Sequence, residues 1–128
     1  MDKKRILIVE DDESLREIYV ELLAGEGYAV DSAKDGYEAL EKLKWGGWDL
    51  VLMDIVLPKM DGFQVVKEAR KILPKIPAKC IVFNTNLYAD AQIKEALSLG
   101  MGYLIKSQLS PDELINKVKI FINDKKQA

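Results

Sequence analysis

Leu50-Val51-Leu52-Met53-Asp54-Ile55-Val56-Leu57-Pro58-Lys59-Met60-Asp61-Gly62 reads as a strand, a carboxylate and a loop. Four apolar residues, Leu50 to Met53, run without alternation into Asp54. A short continuous apolar run is the pattern of a strand buried on both faces, as in a parallel sheet covered by helices. Asp54 would stand at the C-terminal tip of that strand. An unpaired ionised carboxylate beside an apolar core is costly, so it requires partners from the rest of the chain.

Working outward, the same alternation of apolar run and helical period recurs. Arg5-Ile6-Leu7-Ile8-Val9 is a first buried strand, ending abruptly in Glu10-Asp11-Asp12. Leu15, Ile18, Tyr19, Leu22 and Leu23 have helical spacing, and Gly25 and Gly27 stop that helix. Tyr28 to Ala33 is a mixed strand, interrupted by Asp31 and Ser32, as expected at a sheet edge. Asp35 and Glu38 have the spacing of a capping box for a second helix, which ends at Gly46-Gly47. Trp45 and Trp48 flank those glycines and are expected to pack at the opposite end of the third strand from Asp54.

Asp61 and Gln64 open a third helix with Phe63, Val66, Ala69 and Leu73 on its apolar side, ended by Pro74 and Pro77. Lys79 to Phe83 is the fourth strand and runs into Asn84-Thr85-Asn86. A fourth helix over Asp90 to Leu99 is expected to bury Ile93, Ala96 and Leu97. Tyr103-Leu104-Ile105 is the fifth strand and ends at Lys106. Ser110-Pro111-Asp112-Glu113 is a strong start for a fifth helix. Strands alternating with helices predict an α/β domain with a parallel sheet over residues 1–124, followed by a frayed tail at 125–128.

Composition narrows the function. The 128 residues suffice for one domain, 48% are hydrophobic and 31% charged, and the net charge is −2, which argues against bulk electrostatic binding to nucleic acid. No apolar run approaches the ~18 residues of a membrane span, and the start does not have the pattern of a signal peptide. Cys80 is the lone cysteine, inside an apolar run, so no internal disulfide forms and a reducing cytoplasm fits. Histidine is absent. That excludes histidine-based acid–base catalysis, histidine metal sites and phosphohistidine carriers.

In an open parallel sheet, sites lie at the carboxyl ends of the strands. Here those ends carry Glu10, Asp11 and Asp12, then Asp54, then Thr85, then Lys106. With a strand order of 2-1-3-4-5 all four would meet in one pocket. Packed carboxylates repel, and a hard divalent cation such as Mg²⁺ relieves that repulsion. A hydroxyl and an ammonium suit a phosphoryl group. The chemistry implied is attack by the Asp54 carboxylate on an activated phosphoryl donor. Taken alone, Asp54 is equally well read as a carboxylate capping its own loop. Asp12 is read as a helix cap before a metal ligand.

Over nearly its whole length the chain resembles the receiver domain of two-component response regulators. The likeness rests on Ile6-Leu7-Ile8-Val9-Glu10-Asp11, on Met53-Asp54 with Pro58 and Met60-Asp61-Gly62, on Thr85, and on Tyr103-Leu104-Ile105-Lys106. It implies the flavodoxin-like doubly wound fold with order 2-1-3-4-5. It also implies that Asp54 is the phosphoacceptor, that Lys106 pairs with the phosphoryl group, and that Thr85 and Tyr103 are a switch pair. Glu10, Asp11, Asp54 and the backbone carbonyl of Val56 would hold Mg²⁺. The partners implied are a sensor histidine kinase or a histidine phosphotransfer protein, and a downstream protein or output domain. The latter would meet the face of the fourth helix, fifth strand and fifth helix; a homodimer is a further possibility. No turnover enzyme is expected.

Four departures stand out. Ser107 follows Lys106 where the family usually has proline, and a cis bond to serine would cost ~3 kcal/mol. The turn Gly100-Met101-Gly102-Tyr103 is short. Asn86 follows Thr85 where a small residue is common. Val56 is apolar. The serine motivates an alternative, a receiver-like scaffold that binds partners without phosphorylation. An aspartyl-phosphate hydrolase is disfavoured, because Val56 stands where such enzymes carry a second aspartate.

Overall fold

The computed structural model describes residues 3–72, 80–86, 89–100 and 102–127, with residues 124–127 as backbone alone. In chain order the elements are β1 (Arg5–Val9), α1 (Glu13–Gly25), β2 (Ala29–Ala33), α2 (Gly36–Trp45), β3 (Leu50–Met53), α3 (Gly62–Ile72), β4 (Ile81–Thr85), α4 (Asp90–Leu99), β5 (Gly102–Ile105) and α5 (Pro111–Gln127). The strands form one five-stranded sheet in the order β2-β1-β3-β4-β5. Every neighbouring pair is parallel. The doubly wound α/β class and the strand order expected from the sequence are therefore what the chain adopts.

Alternation along each strand divides the core into two layers. Ile6, Ile8, Leu50, Leu52, Val82 and Leu104 face one way and pack with Tyr19 and Leu23 of α1 and Leu114, Val118 and Ile122 of α5. Leu7, Val9, Val51, Met53, Ile81 and Phe83 face the other, against Ala39 and Leu43 of α2, Val65, Val66 and Ala69 of α3 and Ala96 of α4. Fully burying a Leu, Ile or Phe side chain contributes roughly 1.5–3 kcal/mol, so the three central strands anchor the fold. β2 is an edge strand, and its Asp31 and Ser32 are only half-buried.

The helix starts follow their cap residues. Asp12, Asp35 and Asp61 accept from the backbone N–H groups of Leu15, Glu38 and Gln64 at 2.9, 2.8 and 2.9 Å. Asp12 is thus the cap of α1. Ser110 and Glu113 make both bonds of a capping box, each at 3.2 Å. At α2 the reciprocal bond shifts by one residue: Glu38 Oε1 accepts from the N–H of Lys34 at 3.3 Å.

Some expectations of burial need correction. Ala96 alone of α4 is buried, while Ile93 is half-buried and Leu97 is 56% exposed. Ile18 of α1 is likewise exposed. The two tryptophans part company. Trp48 is buried, stacked under the Arg5 guanidinium at 4.4 Å and donating through Nε1 to the Lys42 carbonyl at 2.9 Å. Trp45, at the end of α2, is 62% exposed. β4 continues through Thr85, beyond the expected Phe83, and α5 runs to Gln127, into the stretch expected as a tail. Leu73, Pro74, Pro77, Lys79 and Met101 lie outside the described residues. Among those described, no helix is long and apolar enough to cross a membrane.

Candidate functional site

Parallel pairing sets the ends of β1, β3, β4 and β5 side by side. The Asp54 N–H donates to the Val9 carbonyl at 3.1 Å, extending the ladder one residue past β3. The chain then turns sharply. Asp54 Oδ1 accepts from the Val56 N–H at 3.3 Å, and the Gly62 N–H donates to the Ile55 carbonyl at 2.8 Å. A Cβ on Gly62 would lie 2.1 Å from the Asp54 carbonyl oxygen. Glycine is therefore required where α3 begins directly against the carboxylate-bearing strand end. Lys59, at the tip of the loop, adopts φ 71°, a left-handed conformation uncommon for a residue with a side chain.

Glu10 follows β1 and is 2% exposed; Asp54 is 5% exposed. Asp11, between Glu10 and the cap Asp12, is exposed. Carboxylate oxygens of Glu10, Asp11 and Asp54 all lie within 4.8 Å of one another. The backbone beneath them is braced by Arg16, which donates through Nη1 to the carbonyls of Glu10 at 2.9 Å and Asp11 at 3.4 Å. Lys106, leaving the end of β5, donates through Nζ to Asp54 Oδ2 at 2.6 Å and to Glu10 Oε1. Glu10 Oε2 also accepts from the Asp12 N–H at 3.1 Å.

These contacts tune the charges. Burial raises the Glu10 pKa, outweighing the pull of Lys106 and of the Asp12 N–H, and the Asp54 carboxylate raises it further. Desolvation alone would lower the Lys106 pKa. The hydrogen bonds and attraction from Asp54 and Glu10 outweigh it, and the ammonium is held above the usual lysine value. The donor set suits a hard cation. Three carboxylates converge, two of them buried, and all their donor atoms are oxygen.

Thr85 is buried at the end of β4 and borders the same cavity of about 410 Å³ as Glu10, Asp11, Asp54, Val56 and Lys106. Tyr103 pairs with Phe83 and so shares a sheet face with Phe83 and Thr85. Its ring packs on the α2–α3–α4 layer, and its buried hydroxyl has no hydrogen-bond partner among the described residues. Tyr103 is thus on the face of Thr85 but does not itself line the cavity. The Val56 side chain is exposed and also lines the cavity.

One residue escaped the sequence reading. Asn84 is buried on the opposite sheet face, its Nδ2 donating to the Tyr19 hydroxyl at 3.3 Å and its Oδ1 without a partner among the described residues. An asparagine directly after the apolar run Cys80-Ile81-Val82-Phe83 was the available signal. Asn86, one of the departures noted in the sequence, accepts through Oδ1 from the Ser107 N–H at 2.9 Å. The bond between Lys106 and Ser107 is trans, as are all peptide bonds among the described residues.

Comparison with known proteins agrees with this geometry. The family model described as "Response regulator receiver domain" matches residues 6–119. The chain is 38% identical over 116 residues to the transcriptional regulatory protein DltR of Streptococcus agalactiae, covering 91% of this chain and 50% of that protein. It is 34% identical over 123 residues to the transcriptional regulatory protein CrdR of Helicobacter pylori, covering 95% and 56%. The chain spans about half the length of these curated relatives. Among solved structures, a CheY-like receiver domain protein from Methanospirillum hungatei superposes with a TM-score of 0.86 at 28% identity, covering 98% of each chain. The response regulator TrrA of Thermotoga maritima, solved in complex with Mg²⁺ and BeF, gives 0.76 at 36% identity, covering 92% of this chain and 98% of its own.

Proposed function

The chain belongs to the response regulator receiver domain family, and from that membership we propose that Asp54 is its phosphoacceptor and Lys106 and Thr85 are the groups that hold the phosphoryl oxygens. The observation that carries this reading is the convergence of Asp54 and Lys106, 2.6 Å apart, with Glu10 and Asp11 beside them. A carboxylate oxygen of Asp54 forms a bond to phosphorus while the bond from phosphorus to the donor breaks, its electron pair leaving with the donor. Such transfer needs mainly positioning and charge neutralisation. Lys106 supplies a fixed positive charge, and the Thr85 hydroxyl is a donor at the neighbouring strand end.

Glu10, Asp11, Asp54 and the carbonyl of Val56 are the groups that would hold Mg²⁺. Bound there, the cation neutralises phosphoryl charge. The donor is a histidine kinase or histidine phosphotransfer protein, the setting is the cytoplasm, and each chain takes one phosphoryl group rather than turning over a substrate.

Phosphoryl oxygens would draw on Lys106 and Thr85 with charge-assisted hydrogen bonds of roughly 1.5–3 kcal/mol each. Two of these approach the ~5.5 kcal/mol that moves a population from 1:99 to 99:1. A shift of Thr85 changes the space available to Tyr103 on the same face. The surface of α4, β5 and α5 then changes its preference for a downstream partner. Incubation with Mg²⁺ and a small acyl phosphate tests the reading: the intact mass should rise by one phosphoryl group, and Asp54→Asn should abolish the rise. A rise that persists in Asp54→Asn would remove Asp54 from its role.

A further inference from the structure

Two loops that wall the cavity are tied together next to its lysine. Asn86 directly follows Thr85 at the end of β4, and Ser107 directly follows Lys106 at the end of β5. The Ser107 N–H donates to Asn86 Oδ1 at 2.9 Å. The partner group is a donor, so the accepting end of the asparagine amide is its oxygen. On the other side of the same peptide plane, the Lys106 carbonyl accepts from the Leu109 N–H at 3.2 Å.

Both polar ends of the Lys106–Ser107 peptide are therefore held. The peptide unit is planar, and its orientation is set by ψ of Lys106 and φ of Ser107. With both ends bonded, the plane cannot rotate without breaking a hydrogen bond. On the preceding side Ile105 is fixed by its pairing with Thr85. The backbone from which the Lys106 side chain departs is thus clamped before and after it. That side chain reaches Asp54 and Glu10; a turn about φ of Lys106 would swing its ammonium out of reach, and because such a turn carries the following peptide with it, the two bonds on that peptide resist it.

The clamp is made by two of the positions at which the chain departs from its family's usual pattern, and the departures are complementary. A proline has no N–H to donate, and a small apolar residue has no oxygen to accept one.

We propose that Asn86 is a positioning residue: through the Ser107 N–H it holds Lys106 within reach of Asp54. Its consequence for phosphoryl transfer rests on the reading of Asp54 as acceptor, whereas its effect on Lys106 does not. The test uses ¹⁵N-labelled chain without phosphoryl donor. It follows exchange of the Ser107 amide and the slowly exchanging ammonium signal expected of a lysine paired with two buried carboxylates. Asn86→Ala should speed exchange of the Ser107 amide and broaden or remove the Lys106 ammonium signal. Asn86→Asp, which keeps an accepting oxygen, should restore both, and a retained thermal midpoint excludes general loosening.

In wild type that takes up phosphoryl from a small acyl phosphate, Asn86→Ala should lower the initial rate roughly two- to tenfold, the equivalent of one neutral hydrogen bond. A Lys106 ammonium signal unchanged in Asn86→Ala would overturn the proposal, whatever the phosphorylation result. Absence of phosphorylation in wild type would instead refute the role of Asp54.

Discussion

The ammonium of Lys106 lies 2.6 Å from Asp54 Oδ2, between residues 52 apart in the chain. The same ammonium bonds Glu10, so one lysine stands between two buried carboxylates. Those carboxylates belong to the cluster whose oxygens suit a divalent cation. A cation bound there would draw on the same negative charge as the lysine.

Lys106→Met should tighten Mg²⁺ binding. Unit charges about 4 Å apart interact by roughly 4 kcal/mol at an effective dielectric near 20, and solvent and rearrangement remove part of that. A gain on the order of tenfold, ~1.4 kcal/mol, is expected. Calorimetric titration of the two proteins with MgCl₂ measures it. Weaker or equal binding by the variant would mean that the cation does not share these oxygens.

Gly62→Ala should damage the site more than an ordinary exposed substitution. The new Cβ would sit 2.1 Å from the Asp54 carbonyl oxygen and 3.0 Å from the Ile55 Cα, both backbone atoms. Relief requires α3 or the end of β3 to shift. Strain of this kind destabilises by about 1–3 kcal/mol, read by urea unfolding, and phosphoryl uptake should fall with it. Full stability together with full uptake would contradict the tight packing of α3 on Asp54.

Asp35 links acid stability to the α2 cap. The Glu38 N–H lowers its pKa below the ordinary 3.8, and Lys59, 3.3 Å away, adds to this against the opposing effect of burial. The folded-state value lies below the unfolded one. The charged cap's stabilisation is therefore complete above the ordinary aspartate range and is lost as pH falls through the depressed value. Asp35→Ala should cost about 1 kcal/mol near neutrality. Asp35→Asn keeps the accepting oxygen and should cost less. The gap between wild type and Asp35→Asn in urea unfolding should close on acidification; a gap that widens would reverse the assigned sign.

Tyr103→Phe should be neutral or stabilising in the unphosphorylated chain. The hydroxyl is buried without a hydrogen-bond partner among the described residues. An unsatisfied buried polar group costs about 1–3 kcal/mol, so its removal should raise the midpoint of thermal unfolding or leave it unchanged. A marked loss of stability would reveal a partner for that hydroxyl.

Much of this was legible in the sequence because strong local signals coincide with the global fold. Leu50 to Met53 had no polar residue to place on either face, so a buried parallel strand was the economical reading, and Asp54 had to emerge at its end. Asp12, Asp35 and Ser110 cap their helices because cap chemistry is local. The convergence of strand ends needed the strand order, which alternation alone does not give; resemblance supplied it.

What stayed hidden depends on tertiary context. Leu97 and Ala96 have the same apolar label, yet the sheet reaches only the face that carries Ala96. Trp45 and Trp48 lie three residues apart, but only Trp48 turns under Arg5. Asn86 and Ser107 each read as an isolated oddity. Their complementarity is visible only once β4 and β5 stand side by side.

Borohydride reduces an acyl phosphate on aspartate to homoserine, so chain treated with Mg²⁺ and a small acyl phosphate, then reduced and digested, reports the modified residue by peptide mass spectrometry. Homoserine at position 54, dependent on Mg²⁺ and on the donor, is the predicted result. Homoserine at Glu10's neighbour Asp11 or at Asp12 with Asp54 intact, or no reduced residue in chain that carries the phosphoryl mass, would contradict it.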